Sequence, residues 1–357
     1  MKNPVLRTLL SVSISVLILW FLFRMVGDES NPIGLTDLGG ILADVPIPMY
    51  LAYLGIHLTG VIIRTVRFRV LIRAAHSNSV PGFVPLMLVT LVRNMTVDML
   101  PSRIGELFYV GLLNRGLKVR MEACFSSLAI SVWFDVMVII PLVLGLVLYP
   151  LLEAGMQQQL VVLAIVLVVV CTIGILILHP GLSMAARALD RWSPGESTGK
   201  SKMLGKLAAF VSAFSTSVRD SLGWSTILVT FLLTVGVRVC KYSSIVILFY
   251  AIAQAGFPEL AEAEPASVVI ALLASEAGAS LPIPTFMSFG TYEAGGLAAF
   301  AVLGISVSAA GLALFTIHLV TQAVDYTLGG LSFIAFLVIT GTRPVSPNWR
   351  SKAAVDK

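Results

Sequence analysis

Charged side chains are scarce in this chain of 357 residues: 12% are charged and 57% are apolar. Soluble domains carry about 25% charged residues, so the shortage excludes a soluble globular protein. Mean hydropathy is +0.94. No stretch is polar enough for a separate soluble domain of about 100 residues. The composition therefore predicts a polytopic all-α membrane protein. Residues 1–342 would form one transmembrane domain, and 343–357 a short basic cytoplasmic tail.

Cysteine and histidine are also rare, with three and four residues respectively. Cys124, Cys171 and Cys240 lie inside apolar runs, too far apart in sequence for a paired-cysteine metal motif. No histidine spacing is typical of a zinc site. We therefore expect no disulfide framework, no metal and no other cofactor. The sequence has no nucleotide-binding loop and no nucleophile–base motif, so we expect neither an enzyme nor a nucleic-acid partner.

Long apolar runs are what the chain has in excess. A bilayer core of about 30 Å is crossed by about 20 apolar residues in a helix. Six runs reach that length and predict six full spans: 8–26, 50–71, 123–149, 160–179, 224–250 and 310–338. Two further apolar regions, 84–113 and 266–303, are interrupted by Pro, Gly and charged residues.

Positive charge is divided unevenly between the connecting segments. One group holds nineteen of the 24 Lys and Arg residues: 1–7, 64–80, 115–122, 180–222 and 342–357. Another group holds none and carries acids instead: 27–48, 150–157, 254–266 and 304–309. Because Lys and Arg accumulate on cytoplasmic loops, both termini are predicted to be cytoplasmic, in a multi-pass protein of a bacterial inner membrane. The segment 33–45 is expected to lie along the outer interface.

The two interrupted regions are predicted to be re-entrant hairpins of broken helices. The region 84–113 has basic residues at both ends, so the chain enters from the cytoplasm, turns at 98–106 and returns. The region 266–303 has periplasmic ends by the same rule and turns at 281–293. The alternative is that Pro and Gly merely kink two ordinary spans, but the charge pattern would then invert between them.

The two regions also resemble each other in sequence. Each has a Leu-Pro, then a Gly followed by a Glu, which is Glu106 in one and Glu293 in the other. Each is followed by a full span with one acidic residue inside the apolar stretch, Asp135 or Asp325. Repeats at about 81–150 and 266–338 in opposite orientations form an inverted repeat. Discontinuous helices in such repeats are typical of a transporter site near the bilayer midplane.

These motifs carry a resemblance to a known family. They are Arg67-Phe-Arg-Val-Leu-Ile72, the stretch 94–106 with its Leu-Pro-Ser-Arg-Ile-Gly-Glu, the span with Asp135, and Gly290-Thr-Tyr-Glu-Ala294. Over most of its length the chain resembles the membrane part of lysylphosphatidylglycerol synthases, a flippase-like domain that is also found free-standing. The resemblance implies lipid translocation between leaflets, with aminoacylated phosphatidylglycerol as the best-known cargo.

Three positions differ from the family's usual pattern. The family often has Arg soon after the first Gly-Glu, where this chain has Leu107-Phe-Tyr-Val110. It often has Glu-Arg before the first Asp, where Ser131-Val132 stands, and Arg where Tyr292 stands. These differences leave the cargo headgroup open. The aminoacyl-transferase domain of the fused members is absent from this sequence, so no lysyl transfer is assigned to it.

A charged side chain at the bilayer centre costs about 3 kcal/mol, so each one is expected to be paired or to face water. The predicted site is a headgroup cavity formed by Arg93, Asp98, Arg103, Glu106, Asp135, Arg238, Lys241, Glu293 and Asp325, with Glu276 as a further candidate. Arg93 and Arg103 would bind phosphate, and Glu106 and Glu293 an amine or a partner Arg. The alternative is a set of structural ion pairs, above all between Arg103 and Glu106.

Other polar residues in the spans are given structural roles. Arg64, Arg67, Arg69 and Arg73 are expected to reach from the second span to the cytoplasmic headgroups. Two histidines, His57 and His318, are expected to pack between helices.

Several functions remain open from the sequence. A lipid translocase for an anionic or zwitterionic phospholipid, or for a polyprenyl-phosphate lipid, fits best. An embedded enzyme acting on such a lipid and a proton-coupled solute transporter are alternatives, as is a non-catalytic partner that stabilises an enzyme complex. The expected partner is membrane lipid, alongside a homo-oligomer or an enzyme of lipid synthesis.

Overall fold

The computed structural model describes residues 4–26, 38–75, 80–100, 104–153, 184, 211–219, 223–281, 283–305 and 307–341. This part of the chain is mostly helical and contains no strand. Its named helices are α1 Pro4–Val26, α2 Leu38–Asp44, α3 Ile47–Ala74, α4 Phe83–Met99, α5 Glu106–Gly111, α6 Met121–Glu153, α7 Trp224–Gly256, α8 Pro258–Ala261, α9 Pro265–Ala279, α10 Thr291–Val302 and α11 Val307–Thr340. Residues 211–219 are also helical.

Four helices are long and apolar enough to cross a membrane: Ile47–Ala74, Met121–Ile140, Trp224–Gly256 and Ala309–Thr340. They coincide with four of the predicted spans. The predicted span 8–26 lies in α1, where Leu10–Leu22 forms a shorter apolar helix. The predicted span 160–179 lies outside the described residues. The count of six spans therefore stays a prediction, while the multi-pass, all-helical character is clear.

The first interrupted region breaks where the sequence predicts. α4 ends at Met99, and Leu100 is extended (φ −108°, ψ 131°). The following residue is Pro101, and a residue before proline is pushed out of the helical region because the proline ring clashes with it. Helix α5 begins after Gly105, and because this residue has no side chain, it leaves room for the backbone of Thr96. A larger residue at this glycine would separate α5 from α4.

The second interrupted region breaks between α9 and α10. Pro282 and Pro284 follow α9, and two non-glycine residues, Met287 and Ser288, have positive φ angles of 56° and 61°. α10 begins after Gly290, whose φ of 92° favours glycine. The amide of Phe286 in this break donates a 2.7 Å hydrogen bond to the hydroxyl of Ser15 in α1. Both regions are thus pairs of helices in contact across a break, and their orientation relative to the membrane stays a prediction.

Three long helices hold the two broken regions together. α3 packs along α7, while α11 packs against both α4 and α10. Phe336 of α11 is buried with Phe68 and Tyr109 in a core around α4 and α5. Leu314 of α11 is buried with Phe300 in a second core around α9 and α10. The middle of α11 therefore lies between the two cores, where the charged side chains are found. α2, within the segment expected at the outer interface, buries Leu38 and Ile41 in the second core.

Candidate functional site

A cavity of about 160 Å³ lies between α4, α7, α9, α10 and α11. We call it the central cavity. Leu100 from the first break and Ser288 from the second both line it. Its lining is rich in titratable side chains: Asp98, Lys241, Glu276, Tyr292, His318 and Asp325. The two helix breaks therefore meet at one polar space inside an otherwise apolar bundle.

The central cavity holds more acid than base. Lys241 is the one Lys or Arg among the described lining residues, and its Nζ lies 2.7 Å from Glu276 Oε1. Tyr242 donates a 3.3 Å hydrogen bond to Glu276 Oε2, so this carboxylate has two partners. Within the described residues, no Lys or Arg forms an ion pair with Asp98 or Asp325. The cavity thus offers carboxylates that a cationic group could approach.

His318 is held in the cavity wall by hydrogen bonds on both ring nitrogens. Nδ1 lies 2.7 Å from Glu293 Oε1, and Nε2 lies 3.0 Å from Gln322 Nε2. A neutral ring that donates from Nδ1 and accepts at Nε2 satisfies both contacts. Glu293 is 1% exposed, and its other oxygen accepts a 2.6 Å hydrogen bond from the Gly290 amide. Glu293 therefore joins the start of α10 to α11 and lies behind the cavity wall.

A second charged region lies between α3, α6 and α7, and we call it the arginine cluster. Arg67, only 1% exposed, donates from Nη1 to Asp135 Oδ1 at 2.8 Å and to Thr234 Oγ1 at 2.9 Å. Its Nη2 donates to Ser131 Oγ at 2.6 Å. Arg238 Nη2 lies 3.2 Å from the same Asp135 oxygen. One carboxylate therefore joins two arginines from different helices.

The arginine cluster continues along α4. Arg93 Nη2 lies 2.9 Å from Glu106 Oε1, which ties α4 to α5. Arg64 Nη1 donates a 2.6 Å hydrogen bond to the side-chain oxygen of Asn94. Together with Arg67 and Arg238, this makes four arginines facing two carboxylates, and Arg67, Arg93 and Arg238 are buried. The cluster is therefore net positive.

Seven of the nine predicted site residues divide into two groups. Asp98, Lys241 and Asp325 line the central cavity, and Arg93, Glu106, Asp135 and Arg238 belong to the arginine cluster. Glu106 and Glu293, expected in equivalent places, lie outside the described cavity lining. Arg103 lies outside the described residues. Its pairing with Glu106 stays a prediction, beside the contact of Glu106 with Arg93.

The expectation that Arg67 reaches the cytoplasmic headgroups is wrong. Arg67 and Arg64 are one helical turn apart, and both point from α3 into the bundle. There Arg67 donates a hydrogen bond to Asp135, and Arg64 donates one to Asn94. The sequence also contains a spacing that predicts part of the cavity wall. His318, Gln322 and Asp325 follow one another at the i, i+4, i+7 spacing of a single helix face, and all three line the cavity.

The carboxylates and imidazoles of the described residues do not gather into a group that would hold a metal ion. The chemistry the site offers is instead charge pairing and hydrogen bonding to a polar group that enters the bundle. No reactive cysteine is present at the described cavity: Cys124 is buried in the first core and Cys240 is not part of the lining.

Residues 8–329 match the family described as lysylphosphatidylglycerol synthase TM region. The match covers both helix breaks, the central cavity and the arginine cluster. No curated protein matches the chain, and no solved structure matches it either.

Proposed function

Because this chain belongs to the lysylphosphatidylglycerol synthase TM region family, we propose that it is a lipid translocase of the bacterial inner membrane. The family supports a membrane protein of lipid metabolism or translocation. In our proposal, the polar headgroup of a phosphate-bearing lipid passes through the central cavity while the acyl chains stay in the bilayer. The lipid is moved without chemical change.

The observation that carries this proposal is the central cavity itself. It lies where two helices are broken, between Leu100 and Ser288, and five helices contribute to it. Non-helical backbone is tolerated at membrane depth only when it is buried in protein or lines a wet cavity. A structural kink needs no polar space beside it, whereas a path for a headgroup does. The charged lining therefore favours transport over a purely structural break.

The two charged regions suit the two charges of a phospholipid headgroup. Asp98 lies five residues after Arg93 on α4, and Lys241 three residues after Arg238 on α7. These separations are about 7.5 Å and 4.5 Å along the helix axes. An amine at the acidic cavity would place a phosphate towards the arginines, which bind phosphate oxygens with two parallel hydrogen bonds. A headgroup with an amine and a phosphate fits this order better than a purely anionic one.

Arg103 remains our candidate for a direct phosphate contact from the first break. A Lys at this position keeps the charge but loses the planar fork, so Arg103→Lys is expected to slow lipid movement. Exchanging the charges of Arg103 and Glu106 is a poor test, because the new cation would face Arg93 across the present 2.9 Å contact. Arg103→Lys and Arg93→Lys, compared for lipid movement and thermal stability, separate the two arginines.

Alternating access further requires that the two broken regions enter from opposite sides, as an inverted repeat among six spans. This arrangement is part of the proposal. Single cysteines at Glu262 and Ser308, in a protein without its native cysteines, are expected to react with an impermeant reagent outside intact cells. A cysteine at Arg120 serves as the cytoplasmic control and should react only after permeabilisation. Reaction at one outer site alone would mean that the second region is a full span.

The translocase itself is tested with purified protein in liposomes. Two probes labelled on an acyl chain, one phosphatidylethanolamine and one phosphatidylglycerol, report the fraction accessible to an impermeant quencher. We expect faster exchange of both than in empty liposomes, with phosphatidylethanolamine the faster.

A steric variant and its neighbour serve as a matched pair. Ala279 lines the central cavity, while Ala277 is exposed and is not part of the lining. Ala279→Trp is expected to block exchange, and Ala277→Trp to leave it unchanged. Exchange at the rate of empty liposomes by a stable wild-type protein would contradict the translocase. Equal exchange by both variants would contradict passage through this cavity.

A further inference from the structure

An Asp–His pair connects two of the long helices at the central cavity. Asp325 lies near the middle of the apolar helix Ala309–Thr340, and its Oδ1 is 3.3 Å from Nε2 of His57 on α3. Their side chains are 14% and 17% exposed. The contact is not aligned as a hydrogen bond, and both atoms are buried without a hydrogen-bond partner among the described residues. The pair is close but polar groups in it remain unsatisfied.

Titratable side chains around Asp325 come from α3 and from every helix that lines the cavity. α3 contributes His57 and Tyr53, α4 Asp98, α7 Lys241, α9 Glu276, α10 Tyr292, and α11 itself His318 and Tyr326. α1, which also packs against α11, has no titratable side chain between residues 10 and 22. Lys241 is already paired with Glu276 at 2.7 Å. Two carboxylates, Asp98 and Asp325, therefore share a small space without a Lys or Arg partner among the described residues.

Gln322 adds to this wall an unsatisfied polar atom that water or a ligand in the cavity can satisfy. It lines the cavity, is 8% exposed, and its Nε2 contacts His318. Its Oε1 is buried and has no hydrogen-bond partner among the described residues. Buried polar atoms are almost always satisfied by protein or by water. A cavity of about 160 Å³ has room for several waters, since one water needs only about 10–15 Å³ of such space.

We propose that Asp325 and His57 form a proton-binding site that couples lipid movement to a proton gradient. This inference rests on the translocase proposed above. A proton taken from one aqueous side forms an O–H bond on the Asp325 carboxylate or an N–H bond at His57 Nε2. The same bond breaks when the proton leaves to the other side, and no other bond changes. Chains of Asp, Glu and His inside membrane helices are typical proton paths.

The physical link between proton and lipid is the charge of the cavity. Binding one proton removes one negative charge beside Asp98, so it lowers the affinity of the central cavity for a headgroup amine. By thermodynamic linkage, the headgroup changes the proton affinity by the same factor. A proton fits the site better than Na⁺, because hard metal ions are bound by several oxygen ligands and His57 presents a nitrogen.

The test measures how the lipid is distributed between the leaflets at steady state. Wild-type protein is reconstituted in liposomes of phosphatidylglycerol and phosphatidylethanolamine, with the membrane potential clamped. An amine-reactive reagent that cannot cross the bilayer reports the outer phosphatidylethanolamine. If one proton is exchanged for each lipid, a gradient of one pH unit supports an asymmetry of up to about tenfold, because one pH unit is a tenfold ratio. Asp325→Asn is expected to leave the leaflets equal.

The outcomes separate this inference from the proposed function. Exchange by the wild type with equal leaflets under the pH gradient would overturn proton coupling and leave the translocase standing. Asymmetry driven by a Na⁺ gradient alone, or retained by Asp325→Asn, would also overturn it. No exchange by a stable wild-type protein would overturn the translocase, and lipid coupling with it.

A second measurement tests the proton site when lipid movement is lost. Infrared difference spectra of the purified protein, recorded across pH, show the carbonyl stretch of a protonated carboxylic acid. We expect a band that Asp325→Asn removes and His57→Gln moves to a different pH, while Glu122→Gln at the start of α6 leaves it unchanged. A spectrum unchanged by Asp325→Asn would reject Asp325 as the proton site.

Discussion

The arginine cluster and the central cavity both contain charged residues and differ in how those charges are paired. In the cluster, Arg67 has three side-chain partners at 2.6–2.9 Å, and Asp135 receives two arginines. In the cavity, Asp98 and Asp325 have no Lys or Arg partner among the described residues. The difference separates charges that join helices from charges that are kept available.

This contrast follows from the cost of burial. A charge removed from water inside a protein is stable only with a partner and further hydrogen bonds, and removing one partner costs about 3–5 kcal/mol. A charge beside a wet cavity keeps part of its hydration and can be removed without leaving an opposite charge unpaired. We therefore expect substitutions in the cluster to reduce stability, in addition to any loss of phosphate binding, and substitutions in the cavity to reduce transport without a loss of stability.

The largest effect is expected in the arginine cluster. Arg67→Met leaves Asp135 with Arg238 alone and removes the donor to Ser131 and Thr234. The free energy of unfolding should fall by about 3–5 kcal/mol. Thermal unfolding in detergent measures this loss. Arg69→Met is the matched control, because the structure shows no ion pair between Arg69 and a described residue, and its change should stay within about 0.5 kcal/mol. Equal losses in the two variants would contradict the bracing role of the cluster.

A smaller effect, of a different kind, is expected in the cavity. Asp98→Asn removes a carboxylate without leaving a described Lys or Arg unpaired. Lipid exchange should fall about tenfold or more, since a charge-assisted hydrogen bond contributes about 1.5–3 kcal/mol. The unfolding temperature should stay within the error of the wild-type value. A variant that loses stability but not exchange would place Asp98 with the structural charges instead.

The smallest effect distinguishes two threonines on one face of α7. Thr234 Oγ1 accepts a hydrogen bond from Arg67, whereas Thr230 Oγ1 is buried without a partner among the described residues. Thr234→Val should lower the free energy of unfolding by about 1 kcal/mol, the usual net contribution of a hydrogen bond. Thr230→Val removes an unsatisfied hydroxyl and should be neutral or stabilising. Chemical denaturation of both variants measures the difference, and a greater loss for Thr230→Val would contradict the assigned contacts.

The positions of the helices were largely predictable from the sequence. Hydropathy placed four long helices within a few residues, because apolar length alone decides whether a segment can cross a bilayer. Proline chemistry placed both breaks, since Pro101, Pro282 and Pro284 act on neighbouring backbone. The bounds of α3, which extends to Ala74, were predicted too short because its last turn is basic.

The pairing of charges was not predictable, because each pair joins helices that are distant in sequence. Asp135 was recognised as a residue that needs a partner, yet its partners Arg67 and Arg238 come from α3 and α7. Arg67 was misplaced because a basic residue near the end of a span usually reaches the headgroups. His57 was read as a packing residue, since nothing local to α3 indicates that α11 brings Asp325 to it.

The hydrogen bond between Ser15 and Phe286 has a consequence for how the protein is made. The two residues are 271 positions apart, so this hydrogen bond forms only after the intervening residues have been synthesised. Until then the second break lacks the support of α1, and Gly290 lacks its neighbour Ile18. The second break therefore gains this support only after residue 286 has been synthesised. An affinity tag that displaces α1 would disturb the site from the opposite end of the sequence.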